Sequence, residues 1–258
     1  MQKIRAVILA GDERQTQHMS DKSEKIQNKA FMKINGKFML QYVLEVICSL
    51  EGIEEILVVG PKQPLEKLQA SYDFKVVQQK GDIVDNVKAC TRGWSGEKLL
   101  IVTSDIPMIT RQSVRDFLKK ASMHTADIYY PIIDKRSNEE MFPKVKRTYV
   151  KIKEGTFTGG NIALIDTDCV VKCEQIGKKL VAMRKSPIKL AKLLGFRFLA
   201  KLVANNLTIE ELEQKLGSLL DSEVKAIRSS YPQLGTDIDK EEDLKIAETS
   251  LQKLKVGN

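Results

Sequence analysis

The stretch Leu99-Leu100-Ile101-Val102-Thr103-Ser104-Asp105-Ile106-Pro107 decides how the chain is read. An uncharged apolar run closed by a polar pair and a proline is the pattern of a strand buried on both faces. Pro107 cannot continue such a strand and stiffens the turn behind it, which leaves the Asp105 carboxylate at the strand's carboxyl end. Outward from this run, 4–10, 55–59, 74–78 and 127–131 are equally short and rich in Val, Ile, Leu or Tyr. Between them, 39–50, 65–71, 83–92 and 113–121 carry apolar residues at helical spacing. This alternation predicts an α/β fold: a mainly parallel twisted sheet, Rossmann-like, with helices on both faces. Such sheets bind ligands beyond the carboxyl ends of their strands, so the residues after each strand are the first candidates for function.

Past residue 131 the rhythm changes. Segments 145–151 and 157–165 read as paired strands around a Glu154-Gly155 turn. Segments 168–183, 187–194, 196–203 and 209–219 read as helices, with breaks at Asn205-Asn206 and Gly217. Thr208 with Glu211 three residues on forms a capping box. A last strand at 224–227 and a helix at 241–254 complete the chain. The whole, 1–258, reads as one domain with a helical insertion or cap at about 170–220.

Composition narrows the chemistry. At 42% hydrophobic and 29% charged, the 258 residues are an ordinary globular mixture able to bury a sizeable core. No apolar run approaches the roughly 20 residues of a membrane span. Cys48, Cys90, Cys169 and Cys173 form no CxxC pair and read as buried free thiols of a reducing, cytoplasmic setting. Only His18 and His124 are present, so a histidine-based zinc site or a Ser-His-Asp triad has little to build on. Hard-cation chemistry on aspartates is the natural alternative.

Four segments after strands carry that chemistry. The first is Leu9-Ala10-Gly11, with a polar loop ending in Asn28-Lys29-Ala30-Phe31-Met32-Lys33-Ile34-Asn35-Gly36-Lys37. The second is Gly81-Asp82-Ile83-Val84-Asp85-Asn86-Val87, and the third is Thr103-Ser104-Asp105-Ile106-Pro107. The fourth is Gly235-Thr236-Asp237-Ile238-Asp239-Lys240-Glu241-Glu242-Asp243-Leu244. In this order they resemble the MobA-like nucleotidyltransferases, over 1–165 and again at about 224–250. The resemblance implies a glycosyltransferase-A-like fold, an NTP donor, Mg2+ as cofactor and pyrophosphate as product.

Residue by residue, Leu9, Ala10 and Gly11 would bring backbone N–H groups to the nucleotide's phosphates, since Gly11 has no Cβ in the way. Lys29 matches the family lysine and would meet charge building on the triphosphate; read alone, it is one solvated lysine among many. Ser104 and Asn86 match nucleotide-contacting positions, and Asp82 reads as a helix cap. Asp105 would hold Mg2+, with Asp237 or Asp239 as the second carboxylate; Asp239 reads equally as a cap of the last helix. Gly159, Gly160 and Asn161 form either an acceptor contact or a plain bulge. Lys144, Lys146 and Arg147 offer charge to an acceptor phosphate or simply face water. The first loop departs from the family: Asp12 stands where a second glycine is usual, and Arg14 arrives early.

The net charge of +8 is concentrated. From 175 to 209 there is no acidic residue, whereas Lys178, Lys179, Arg184, Lys185, Lys189, Lys192, Arg197 and Lys201 are basic. The segment 178–203 reads as a packed cap with solvated lysines, as an anion site, or as a helix lying on a membrane surface. Nucleic acid is disfavoured, because the aromatics are not interleaved as stacking platforms. The expected reaction is transfer of a nucleoside monophosphate from NTP to a phosphorylated acceptor, small or lipid-linked. The alternatives are a nucleotide-sugar glycosyltransferase and a non-catalytic nucleotide-binding regulator.

Overall fold

The computed structural model describes residues 3–11, 28–143, 145–183 and 186–256. The chain begins with β1 (Ile4–Leu9), a short hairpin of β2 (Lys33–Ile34) and β3 (Lys37–Phe38), and α1 (Met39–Cys48). Then come β4 (Ile53–Gly60), α2 (Lys62–Leu68), β5 (Lys75–Gln78), α3 (Ile83–Cys90), β6 (Lys98–Thr103) and α4 (Arg111–Ala121). The second half runs β7 (Ile128–Asp134), α5 (Lys135–Met141), β8 (Val150–Ile152), β9 (Gly155–Gly159) and β10 (Ile162–Asp166). It continues through α6 (Thr167–Lys172), α7 (Glu174–Met183), α8 (Pro187–Leu194), α9 (Phe196–Val203) and α10 (Ile209–Leu220). It ends with β11 (Val224–Ser229) and α11 (Glu241–Val256).

Nine strands form one sheet in the order β5-β4-β1-β6-β10-β7-β9-β8, with β11 along the other edge of β7. From β5 to β6 every pairing is parallel, while β10 runs antiparallel between β6 and β7. The central parallel strands β1 and β6 are largely buried on both faces, which is why they read as apolar runs, whereas the edge strand β5 stays partly exposed. Ala6, Ile8, Leu100 and Val102 face one core with Leu40, Val43 and Leu44 of α1 and Val114 and Phe117 of α4. Val7, Leu57, Val59 and Leu99 face the other, with Val87 and Cys90 of α3 and Val170 of α6.

Register fixes the functional rim. Leu9 lies opposite Val59 and Thr103, so β1, β4 and β6 end together. A separate core of Ile34, Met39, Tyr42, Met108, Phe142, Ile238 and Leu251 fastens α11 and the turn before it against the β2–β3 hairpin. That packing delivers residues 237–239 to the same rim.

Several boundaries differ from expectation, each for a local reason. The expected strand 157–165 is two strands, because Gly160 and Asn161 cross between sheet positions: β9 pairs with the far end of β7 and β10 with its beginning. The expected strand 145–151 begins only at Val150, and Val145 instead packs into the α11 core. The helix expected over 168–183 breaks at Cys173, giving α6 and α7. Gly217 does not end α10; the helix closes at Asp221, in the left-handed conformation, where Ser222 N–H donates to the Gly217 carbonyl.

The helical region from α7 to α10 is pinned at both ends. Lys88 and Asp85 of α3 pair with Glu174 and Lys178 of α7 at 2.6 and 2.5 Å. Phe198 and Leu202 of α9 pack on Ile152 and Phe157 of the β8–β9 hairpin. The Thr208–Glu211 capping box is present at the start of α10, as expected.

Candidate active site

Three carboxylates meet at the carboxyl rim. Asp105, just beyond β6, and Asp237 and Asp239, before α11, each offer an oxygen, and these atoms lie within 4.8 Å of one another. The two segments are locked together, since Ile238 N–H donates to the Asp105 carbonyl at 2.9 Å. The Thr103 hydroxyl, on the last residue of β6, donates to Asp105 Oδ1 at 2.5 Å and fixes that side chain. The cap of α4 is Thr110, whose Oγ1 accepts from Ser113 N–H, so Asp105 is not engaged in capping.

Two cations face the carboxylates. Lys29 Nζ lies 2.8 Å from Asp239 Oδ1 and 3.5 Å from Asp105 Oδ2. Its position comes from a single 3-10 turn, Lys29–Phe31, capped by Asn28, whose Oδ1 accepts from Ala30 N–H. The same Asn28 donates to the Ala10 carbonyl at 2.7 Å and so ties the lysine turn to the end of β1. Arg147 Nη1 donates to Asp237 Oδ1, and its Nη2 donates to the Gly159 carbonyl at 3.2 Å. Of its basic neighbours, Lys146 is exposed, and Lys144 lies outside the described residues.

The rest of the rim is backbone. Ala10 N–H donates to the Val59 carbonyl and Ser104 N–H to that of Leu9, which seats Leu9, Ala10 and Ser104 beside the Asp105 turn. A Cβ on Gly11 would fall 2.3 Å from Gln79 Oε1, so the glycine admits the Gln79 side chain. Asp12, Arg14 and His18 lie outside the described residues.

The sequence profile of the MobA-like NTP transferase domain matches residues 6–195. The chain belongs to that family. This MobA-like transferase carries Asp105, Lys29 and Arg147 within the matched segment and Asp237 and Asp239 beyond it. A hypothetical transferase from Thermus thermophilus is 33% identical, with 95% of this chain and 100% of that chain covered and a TM-score of 0.79. A CMP:2-keto-3-deoxy-manno-octonic acid synthetase solved with CTP is 14% identical, covering 98% and 99% of the two chains, at a TM-score of 0.61. Molybdopterin-guanine dinucleotide biosynthesis protein A from Archaeoglobus fulgidus is 14% identical, covering 97% and 99%, at 0.54. The last two share the fold. No curated protein sequence matches the chain.

Other expected site residues of the MobA-like transferase build walls. Asn86 is buried and accepts from Lys80 N–H at 2.7 Å, holding the loop after β5 rather than touching the carboxylates. Asp82 caps α3 as expected. A Cβ on Gly159 would fall 2.5 Å from the Tyr130 hydroxyl, and one on Gly160 would fall 2.6 Å from Pro131 Cγ. The paired glycines therefore allow β7 to approach this crossing. Asn161 spends its backbone N–H on Leu234 and its carbonyl on Thr103. At the start of α11, Asp243 accepts from the backbone N–H groups of Asp239 and Lys240. Asn28 and Thr103 stand within the quoted motifs without an expected role of their own; an Asn directly before the lysine turn is the local signal for the first.

Electrostatics set the state of the two cations. Burial pulls the Lys29 pKa down, but Asp105 and Asp239 outweigh it and hold the ammonium above its ordinary value. Burial lowers the Arg147 pKa, although a guanidinium keeps its proton throughout the working range. Because the folded pKa of Lys29 exceeds the unfolded one, its stabilisation is complete below about pH 10 and is lost as pH rises through the folded value. Melting of Lys29→Met against the parent is expected to show a constant deficit from about pH 6 to 9 that shrinks above about pH 10. A deficit that changes near neutrality would show that Lys29 titrates there instead.

Proposed function

We propose that this nucleotidyltransferase moves a nucleoside monophosphate from an NTP to the phosphate of a phosphorylated acceptor, with Mg2+ as cofactor and pyrophosphate as product. The observation that carries this reading is the convergence of Asp105, Asp237 and Asp239 beside Lys29. Their donors are carboxylate oxygens alone, with no His or Cys among them, which suits a hard cation. Asp105 with Asp237 or Asp239 would hold the ion, and once bound it would supply neutralisation of charge on the phosphates.

The chain's own residues do the positioning. An acceptor phosphate oxygen forms the new bond to the α-phosphorus as the bond from that phosphorus to the bridging oxygen of the β-phosphate breaks. The electron pair leaves on pyrophosphate, where the protonated Lys29 meets the developing charge. An acceptor phosphate is already ionised at neutral pH, so no side chain has to act as a strong base. Arg147, beside Asp237, supplies a planar fork suited to the acceptor phosphate, with Gly159, Gly160 and Asn161 forming the wall behind it. The backbone at Leu9, Ala10, Gly11 and Ser104 lines the nucleotide side, with Asn86 ordering the loop next to it. A reaction that consumes NTP suits a cytoplasmic location, and the acceptor is either a small metabolite or a lipid-linked phosphate.

The test is pyrophosphate release, coupled to pyrophosphatase, over four NTPs and a panel of phosphorylated acceptors. One NTP–acceptor pair is expected to give Mg2+-dependent release well above the NTP-only background. NTP binding without release for any pair would favour the regulator, and sugar transfer without pyrophosphate would favour the glycosyltransferase.

A further inference from the structure

Helix α9 is apolar on two faces, and packing uses only one. Phe198 and Leu202 turn inward onto Ile152, Phe157 and Leu207. Phe196, Ala200 and Val203, spaced four and three residues apart, share the opposite face. Phe196 is 83% exposed and Val203 74%, and Ile188 of the preceding helix is 60% exposed. A cap that merely covered the domain would have polar residues at these positions.

Exposed cations lie next to these apolar residues along α8 and α9. Lys189 and Lys192 of α8 and Arg197 of α9 are exposed, and none forms an ion pair among the described residues. Lys178 and Lys201, by contrast, are engaged by Asp85 and Glu211. The stretch 175–209 contains no acid that could neutralise the patch. A second copy of the chain is a poor occupant, because its own net charge is +8 and the patch would meet its like.

We propose that α8 and α9 dock this protein on an anionic lipid surface. Phe196, Val203 and Ile188 enter the boundary between headgroups and acyl chains, and Lys189, Lys192 and Arg197 lie at the level of the lipid phosphates. The mixed character of the patch fits this occupant: apolar side chains alone would suit many partners, and lysines alone would suit water. Docking also has a consequence for the site. Helix α9 rests on the β8–β9 hairpin, and the last residue of that hairpin, Gly159, accepts from Arg147 beside the carboxylates. The patch and the proposed acceptor wall thus share one structural unit, which brings a lipid-linked phosphate within the protein's choice of acceptors. That consequence rests on the transfer reading above; docking itself does not.

The experiment is flotation of the full chain with vesicles of phosphatidylcholine, with or without about one-third phosphatidylserine, at low and high salt. Binding to the anionic vesicles at low salt is expected, weakened at least tenfold by high salt or by omission of phosphatidylserine. Neutralising the three cations (Lys189→Gln, Lys192→Gln and Arg197→Gln together) is expected to weaken binding on the order of a hundredfold. Phe196→Ser should weaken it at least roughly tenfold with the melting temperature unchanged, since the side chain it replaces is already in water. Three results would overturn the proposal: no flotation by the parent, flotation that survives both variants, or self-association broken by Phe196→Ser without vesicle binding. Pyrophosphate release with water-soluble acceptors, measured on the same variants, reports separately on the transfer reading.

Discussion

Asp105→Ala is expected to lower kcat/KM for pyrophosphate release by roughly a thousandfold or more. The carboxylate is the one member of the cluster fixed by its own strand, because Thr103 holds one oxygen and Lys29 faces the other. On the proposed mechanism, its loss removes a charge from the position where the cation and the triphosphate would be oriented. The fold should tolerate the change. The turn is held through the backbone, with Ile238 N–H on the Asp105 carbonyl, and Pro107 stiffens the chain just beyond it. A partly solvated ion pair contributes at most about 1 kcal/mol, so the melting temperature should fall by only about 2–4 °C. Mg2+ is expected to raise the melting temperature of the parent and to leave that of Asp105→Ala unchanged. Asp105→Asn separates charge from shape: it keeps the size and the Thr103 hydrogen bond yet should be nearly as inactive. Activity of Asp105→Ala within tenfold of the parent would remove this carboxylate from the mechanism.

Asp105 was legible because a single local pattern, an apolar run giving way to Thr103-Ser104-Asp105, marks both the strand and the place where it ends. The alternation in the first half was legible for a related reason. The central strands β1 and β6 are largely buried on both faces, so their apolar runs stand apart from the amphipathic segments around them. Helix α5 gave no such signal. Its sequence is polar up to its last residue, Met141, and it buries only Asn138; it is held by the Asp134 cap and by Asn138 bonding to Tyr149 and Thr236. The partnerships within the site were illegible for a different reason. Lys29 meets Asp239 across 210 residues and Arg147 meets Asp237 across 90, and no local pattern encodes such pairings. Sequence could name Arg147 as one of three basic residues near a candidate wall. Only the packing that brings α11 against the β2–β3 hairpin selects it over Lys146.

That buried pair makes a second, opposite kind of prediction: Asp237→Ala should damage stability more than Asp105→Ala does. Arg147 and Asp237 are 12% and 14% exposed, and Arg147 Nε is already buried without a partner among the described residues. Removing the carboxylate leaves a guanidinium charge out of water with the Gly159 carbonyl as an acceptor and with Asp105 and Asp239 as the remaining nearby charges. Breaking a desolvated pair in this way typically costs about 3–5 kcal/mol, roughly 10 °C in melting temperature for a domain of this size. The lowered pKa of Arg147, caused first by burial, reports the same desolvation. Arg147→Met combined with Asp237→Ala replaces both charges and should recover much of the loss, giving a coupling of about 2 kcal/mol or more in the double-mutant cycle. Pyrophosphate release should not recover with it, because the double variant lacks both a candidate cation ligand and the candidate acceptor clamp. Stability restored without activity would separate the pair's structural work from its chemical work. If Asp237→Ala melts with the parent, the pair is hydrated and the rim is an open surface, and the case for a desolvated site at this position fails.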